Sequence, residues 1–263
     1  QPDGWLPALR LVDFASEHPY PGRRLWPTPG IGRITEFMER IIDFMRRLDA
    51  DNDRAWFDAH RAEWQRVKGD IARLAGRLIE AIAAFDGSVA GLRPQDCTYR
   101  IARDTRFSKD KSPYKNWVGV FVCPGGKKSG YAGYYLHISP AEDRLLGGHM
   151  LVAGLYCPEP TILRSVRDEV VDCGDELVRN IEAARGFSLD TTNRLKRNPA
   201  GFPAGSPHEE LLRQKDFCLG RTVDEGWLLR PDAVERIVAE FRRTQPFVGQ
   251  LNRAVRYAYE EMM

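Results

Sequence analysis

Trp117-Val-Gly-Val-Phe-Val-Cys123, Pro124-Gly125-Gly126 and Tyr131-Ala-Gly-Tyr-Tyr-Leu-His-Ile-Ser139 decide the fold. Two runs rich in aromatic and β-branched residues, each the length of one strand, are parted by a Pro-Gly-Gly turn signal. So short a connection makes the pair antiparallel, because a parallel crossover needs a dozen residues or more. A third such run spans 145–156, and a short one near Phe217–Thr222 extends the sheet. Upstream, Cys97, Tyr99 and Ile101 alternate with Thr98, Arg100 and Ala102, which predicts one extended strand over 97–107.

Helical spacing lies on both sides of these strands. Phe37, Met38, Ile41, Phe44, Met45 and Leu48 recur every three or four residues, and Asp49 to Asp53 supplies turn and capping residues. Phe57, His60, Trp64, Val67, Ile71, Leu74, Leu78, Ile82 and Phe85 continue as one long apolar stripe, which Gly69 and Gly76 can bend. After Pro158-Glu159-Pro160 come two helical patterns, one through Ile162, Leu163, Val166 and Val170, the next over 177–184. Ser206, Pro207 and Glu209 read as the cap, first position and capping box of a further helix. Two closing helices follow, carrying Ala233, Val234, Ile237 and Phe241, then Phe247, Leu251, Val255 and Tyr259. The fold class is α+β: a central, mainly antiparallel sheet flanked by N-terminal and C-terminal helices. Residues 1–33, with six prolines and four glycines, form a Pro/Gly-rich N-terminal extension, and 34–263 form a single domain.

With 263 residues, 43% hydrophobic and 29% charged, the chain has the composition of a water-soluble globular protein, and no run approaches 18 apolar residues. Disorder and a membrane span are excluded as its character. Five cysteines at 97, 123, 157, 173 and 218 form no short-spaced pair, so free thiols and a cytoplasmic address are expected. Cys97, Cys123 and Cys157, in or beside apolar strands, are expected to be buried and unreactive. The net charge of +2 creates no global field, so an anionic partner must use a local patch.

Such a patch exists. Over 100–128, Arg100, Arg103, Arg106, Lys109, Lys111, Lys115, Lys127 and Lys128 face only Asp104 and Asp110, an excess of six positive charges that leaves the rest of the chain at −4. Arginine forks match carboxylate or phosphate in two bonds and lysines add compact charge, which is the equipment for holding an anion. Arg100, Arg103, Arg106, Lys109 and Lys115 are the candidate binding residues; Asp104 and His137 are the candidate bases, with Lys111 and Tyr114 as acid or charge stabiliser. On a strand over 97–107, Arg103 would share an apolar face with Ile101 and Phe107 and would need a partner, either an acid in an internal network or a bound anion. His137 and His149 have no ligand partner nearby in sequence. Gly125-Gly126-Lys127-Lys128-Ser129-Gly130 lacks the spacing of a phosphate loop and reads as a flexible hairpin. H-E-x-x-H, C-x-x-C and G-x-S-x-G are absent, so no metal or cofactor is expected.

The run Arg100-Ile-Ala-Arg103-Asp104-Thr-Arg106-Phe107, with Asp110-Lys111-Ser-Pro-Tyr114, resembles the signature of a bacterial family of conserved hypothetical proteins, domain of unknown function 2461. Asn52-Asp-Arg54-Ala-Trp56-Phe57, Gly133-Tyr134-Tyr135-Leu-His137-Ile138, Pro158-Glu159-Pro160, Leu195-Lys196-Arg197 and Gly201-Phe202-Pro203 resemble it too, so the likeness covers roughly residues 35 to 260. What it implies is a single α+β domain without an assigned activity. Three readings stay open: a cytoplasmic protein with a basic pocket for a phosphorylated or other anionic small molecule, with or without turnover; a nucleic-acid-binding module using the same patch, its bases stacked among Tyr114, Trp117, Tyr131, Tyr134 and Tyr135; and a non-catalytic scaffold whose Arg/Asp motif is structural.

Overall fold

Alternation along the strands gives a sheet with two unlike faces in the computed structural model, which describes residues 31–140, 148–202 and 205–262. The elements are α1 (Ile31–Ala50), α2 (Arg54–Ala59), α3 (Arg61–Ala83), α4 (Pro94–Cys97), β1 (Val118–Val122), β2 (Gly133–Ile138), β3 (Met150–Leu155), α5 (Pro160–Ala183), β4 (Ser188–Leu189), α6 (Glu209–Leu212), β5 (Phe217–Thr222), α7 (Glu225–Leu228) and α8 (Ala233–Glu261). The strands run in the order β1-β2-β3-β5-β4, every neighbour antiparallel. Val118, Val120 and Val122, with Tyr134, Leu136, Ile138, Leu151, Ala153 and Leu155, point into the main core among the apolar stripes of the helices. There α8 packs on β3, α3 on β1, and α5 along α8. The opposite face buries Tyr135, Met150, Val152 and Cys218, with Tyr99, Phe121 and Tyr156 packed against them. Gly119 is required on that face, because a Cβ there would lie 2.7 Å from the Tyr135 ring and hydroxyl.

Several sequence expectations are corrected. The long stripe is broken at His60, whose Nδ1 bonds the Trp56 carbonyl at 2.8 Å while its ring stacks on Trp56; the side chain competes for the carbonyl and ends α2. α3 then runs through Gly69 and Gly76 and stops before Phe85. The helical patterns after Pro160 are one element kinked at Cys173 (φ −130°, ψ 28°). The kink brings Gly174 under His208, where a Cβ would meet the ring at 2.2 Å, and Gln250 Nε2 donates to the Cys173 carbonyl at 3.2 Å. The two closing helices are fused in α8 with Pro246 inside, since apolar residues on both sides of the proline share one buried stripe. α6 begins at Glu209, later than the Ser206 cap implied, because Ser206 Oγ and Glu209 Oε1 accept from His208 N and Gly205 N and tie the preceding turn. α1 begins at Ile31, inside the segment read as an extension; the rest of that extension lies outside the described residues, as do 145–147 of the third predicted strand. Cys157 is exposed at a φ of 48°, not buried, because the chain turns out of the sheet there.

Candidate functional site

The predicted strand over 97–107 does not form. Cys97 ends α4, and only the isolated bridges Thr98↔Val120 and Ala102↔Tyr114 remain of the pairing. Instead the chain doubles back: Arg103 N donates to Pro113 O at 2.9 Å and Lys115 N to Ile101 O at 2.8 Å, closing a hairpin whose long loop carries the charged motif. Asp104, Arg106 and Lys111 each want a partner within the loop, and those local bonds replace a strand ladder.

Each bond inside the loop is visible. Arg103 NH1 donates to Asp110 Oδ2 at 2.6 Å and to Ser112 O at 3.2 Å, and its NH2 donates to Ser108 Oγ at 3.3 Å. Arg106 clasps Asp104 through Nε and NH2, at 2.9 and 2.6 Å. Lys111 Nζ donates to Thr105 O at 2.9 Å. The Arg106 guanidinium pulls the Asp104 carboxyl down to about 2; the Ser112 hydroxyl and amide, then Arg103, do the same for Asp110. Phe107 stands 96% exposed at the tip with Arg106 5.8 Å over its ring, where a strand would have faced it inward.

The hairpin is anchored by a residue not nominated from the sequence. Asn52 reaches both backbone groups of Tyr114, donating from Nδ2 to its carbonyl at 3.0 Å and accepting from its amide at 3.2 Å, in the manner of a neighbouring strand. The Tyr114 ring stacks on Phe57 at 4.0 Å, and Asn116 Nδ2 donates to Asp49 Oδ1 at 2.9 Å. The available signal was the quoted run from Asn52 to Phe57, which holds both partners of Tyr114.

Beside the hairpin root lies a shallow depression of about 250 Å³, counting the open solvent at its mouth, lined by Trp64, Ile71, Tyr99, Arg100, Ile101, Trp117, Val118 and Gly119. Cations gather on its aromatic wall: Lys115 Nζ lies 4.9 Å from the Trp117 ring and 5.7 Å from Tyr99, and Lys127 Nζ lies 6.0 Å from Tyr99. Lys115 also donates to Arg100 O at 3.0 Å, and Lys127 to Gln95 O at 2.6 Å. Lys127 is therefore held on α4 rather than waving on a flexible turn; its amide donates to Asp96 O, and the positive φ of Gly125, Gly126 and Gly130 shapes the turn. Among the described residues the Arg100 side chain has no hydrogen bond or ion pair, though it lies within electrostatic range of Asp104, and Lys127 and Lys128 have no ion pair.

The nominated residues therefore separate. Of the five candidate binding residues, Arg100 and Lys115 reach the aromatic depression, Arg103 and Arg106 are engaged by acids, and Lys109 is exposed on the loop. No hydrogen bond, ion pair or ring contact links any two of Asp104, Lys111, Tyr114 and His137. His137 is buried on the second sheet face, shares a 2.9 Å hydrogen bond with the Tyr135 hydroxyl and packs against Trp117; burial, then the neighbouring His149, pushes its pKa down to about 3, so the ring is neutral. His149 is also lowered by burial, and its Nδ1 accepts from Ser139 N at 3.2 Å. Burial pushes the Cys97 and Cys123 thiols up to about 11 and about 12. Among the described residues no helix is long and apolar enough to cross a membrane.

Comparison with curated proteins and with solved structures finds no match. A model of one protein family matches residues 40–249, a span that contains Asn52, the charged hairpin, the aromatic depression and every strand of the sheet. The chain belongs to the conserved hypothetical protein family DUF2461.

Proposed function

We propose that the protein is a cytoplasmic binding protein for a phosphate-bearing or otherwise anionic small molecule, held where Arg100, Lys115 and Lys127 surround the aromatic wall of Tyr99 and Trp117. The observation that carries this reading is the division of charge in the basic segment. Arg103, Arg106 and Lys111 are used up in building the loop, whereas the Arg100 guanidinium beside the depression makes no hydrogen bond or ion pair among the described residues and feels Asp104 only at longer range. A guanidinium at an aromatic wall is equipped to grip a phosphate while a flat ring lies alongside. The reading is one of binding, because Asp104 is clasped by Arg106 and His137 is buried and neutral, so neither is poised to take a proton at neutral pH. Free cysteines, three of them buried, suit a reducing compartment.

The test is a thermal-shift and calorimetric panel of pyrophosphate, nucleotides, sugar phosphates, dicarboxylates and short single-stranded oligonucleotides. Saturable stabilisation by one class of small anion, with a change in tryptophan fluorescence, supports the reading. Binding confined to oligonucleotides, falling steeply as salt rises, replaces it with the nucleic-acid reading. No response from any compound leaves the charged hairpin as a structural device.

A further inference from the structure

Burial is graded across the aromatic depression, and the grading separates its floor from its rim. Trp64, Ile71 and Val118 belong to the main core and also line the depression; 8%, 7% and 6% of their surfaces stay open, where Phe44, Leu78 and Ile82 of the same core show 1% or less. With the partly buried Ile101 they make the floor. Ile71, Ile101 and Val118 carry no side-chain hydrogen-bonding atom, and Trp64 carries only an indole N–H. Phe44 and Phe57 pack against the Trp64 ring, with centroids at 5.5 and 6.0 Å, so that ring serves as an apolar wall.

The rim has the opposite chemistry. Arg100 is exposed and lines the mouth, and the Lys115 and Lys127 ammonium groups lie 5.7 and 6.0 Å from the centre of the same Tyr99 ring. Asp104 reaches Arg100, and Asp96 reaches Lys127, only at longer range, and each of these acids is clasped by another arginine, Arg106 and Arg93. Among the described residues the rim therefore keeps an excess of positive charge.

A cationic rim over an apolar floor restricts what fits. A hydroxylated body laid on the floor gives up hydrogen bonds to water and recovers almost none from these side chains. A hydrocarbon body has no such bonds to lose and gains by leaving water. Size sets a second limit. The depression's volume of about 250 Å³, open solvent included, falls below the roughly 300–1,000 Å³ of sites that enclose a drug-sized ligand. Its floor takes one face of a single ring, or a short alkyl chain. We propose that the ligand is a small amphipathic acid, one carboxylate or phosphate head on a compact body without hydroxyls; this rests on the anion-binding reading above and narrows it. The head meets Arg100, Lys115 and Lys127 at the rim, and the body lies on Trp64, Ile71, Ile101 and Val118. Sugar phosphates and nucleotides satisfy the rim equally well but bring hydroxyls against the floor.

The test is a calorimetric titration of the full chain with inorganic phosphate, phenyl phosphate, benzoate, a series of straight-chain carboxylates, glycerol phosphate and AMP. Phenyl phosphate is expected to bind roughly tenfold more tightly than inorganic phosphate or glycerol phosphate, the gain from taking one face of a ring out of water. In the carboxylate series affinity should rise by up to about fourfold per methylene, the equivalent of about 0.8 kcal/mol, and level off once the floor is covered. Benzoate set against phenyl phosphate identifies the head the rim prefers. Ile101→Ala should shrink the ratio of phenyl phosphate to inorganic phosphate affinity, whereas Arg100→Gln weakens both and keeps the ratio; a ratio does not depend on how much of a variant is folded. Glycerol phosphate or AMP binding as tightly as phenyl phosphate overturns the amphipathic class and leaves the anion site standing, and so does a ratio unchanged in Ile101→Ala. Silence from every member of the panel, inorganic phosphate included, removes the anion site and this proposal with it.

Discussion

His137 illustrates how burial converts a candidate base into a structural group. Its ring lies on the second sheet face, 2% exposed, with the Tyr135 hydroxyl on Nδ1 and Trp117 against it. The unfolded chain binds a proton at this residue near pH 6.5, and the folded chain only near pH 3. Its contribution to stability is therefore complete above about pH 6.5 and is lost as the pH falls toward 3, with a slope of at most about 1.4 kcal/mol per pH unit. Urea unfolding from pH 7 to pH 4 should show that slope in the wild type and a shallower one in His137→Gln; equal slopes would place the pH dependence elsewhere. At this scale the sequence was informative about residue type and less so about partners. It nominated Arg100 and Arg103 alike, yet Asp110 and Ser112 take up Arg103 while the Arg100 side chain makes no hydrogen bond or ion pair among the described residues. Loop geometry decides between them, and spacing alone does not carry it.

Among the elements, the charged hairpin departs furthest from the reading of the sequence. Alternation over 97–101 satisfied the strand pattern, but α4 ends at Cys97 and the side chains of Asp104, Arg106, Asp110 and Lys111 bond within the loop. Asn52 is the hinge of this arrangement, since it supplies both hydrogen bonds to the Tyr114 backbone. Asn52→Ala leaves that amide and carbonyl without their partner in a half-buried position, a loss of about 1–3 kcal/mol. Hydrogen exchange should then show faster exchange at the Tyr114 amide and around the hairpin root, with β2 and β3 unchanged; protection retained at Tyr114 would mean that stacking on Phe57 alone anchors the loop. The other elements were legible where one periodicity ruled. β1, β2 and β5 fall within or on the runs read as strands, whereas α5 and α8 are continuous where two helices were expected, because tertiary burial carries one stripe across Cys173 and Pro246.

For the whole molecule, the two-faced sheet explains why the α+β class could be read and the site only in part. One face is covered by helices whose stripes are continuous in sequence, so the core follows from periodicity. The other face joins residues far apart in the chain: Tyr99 with Trp117 and Tyr135 at one end, Asp190 with Asp216 and Cys218 at the other. Strand pairing alone makes those neighbours, and a single chain read linearly does not reveal them.

The division of labour in the basic segment is tested most directly by comparing Arg100→Gln with Arg103→Gln in one experiment that records melting temperature and affinity for the anion selected by the panel. The account predicts that Arg100→Gln melts with the wild type and binds roughly tenfold or more weakly, as loss of a charge-assisted contact of about 1.5–3 kcal/mol requires. Arg103→Gln should lose about 1–2 kcal/mol, roughly 2–8 °C, with a smaller loss of affinity. The opposite pattern, with Arg100→Gln destabilised and Arg103→Gln stable but unable to bind, would contradict it.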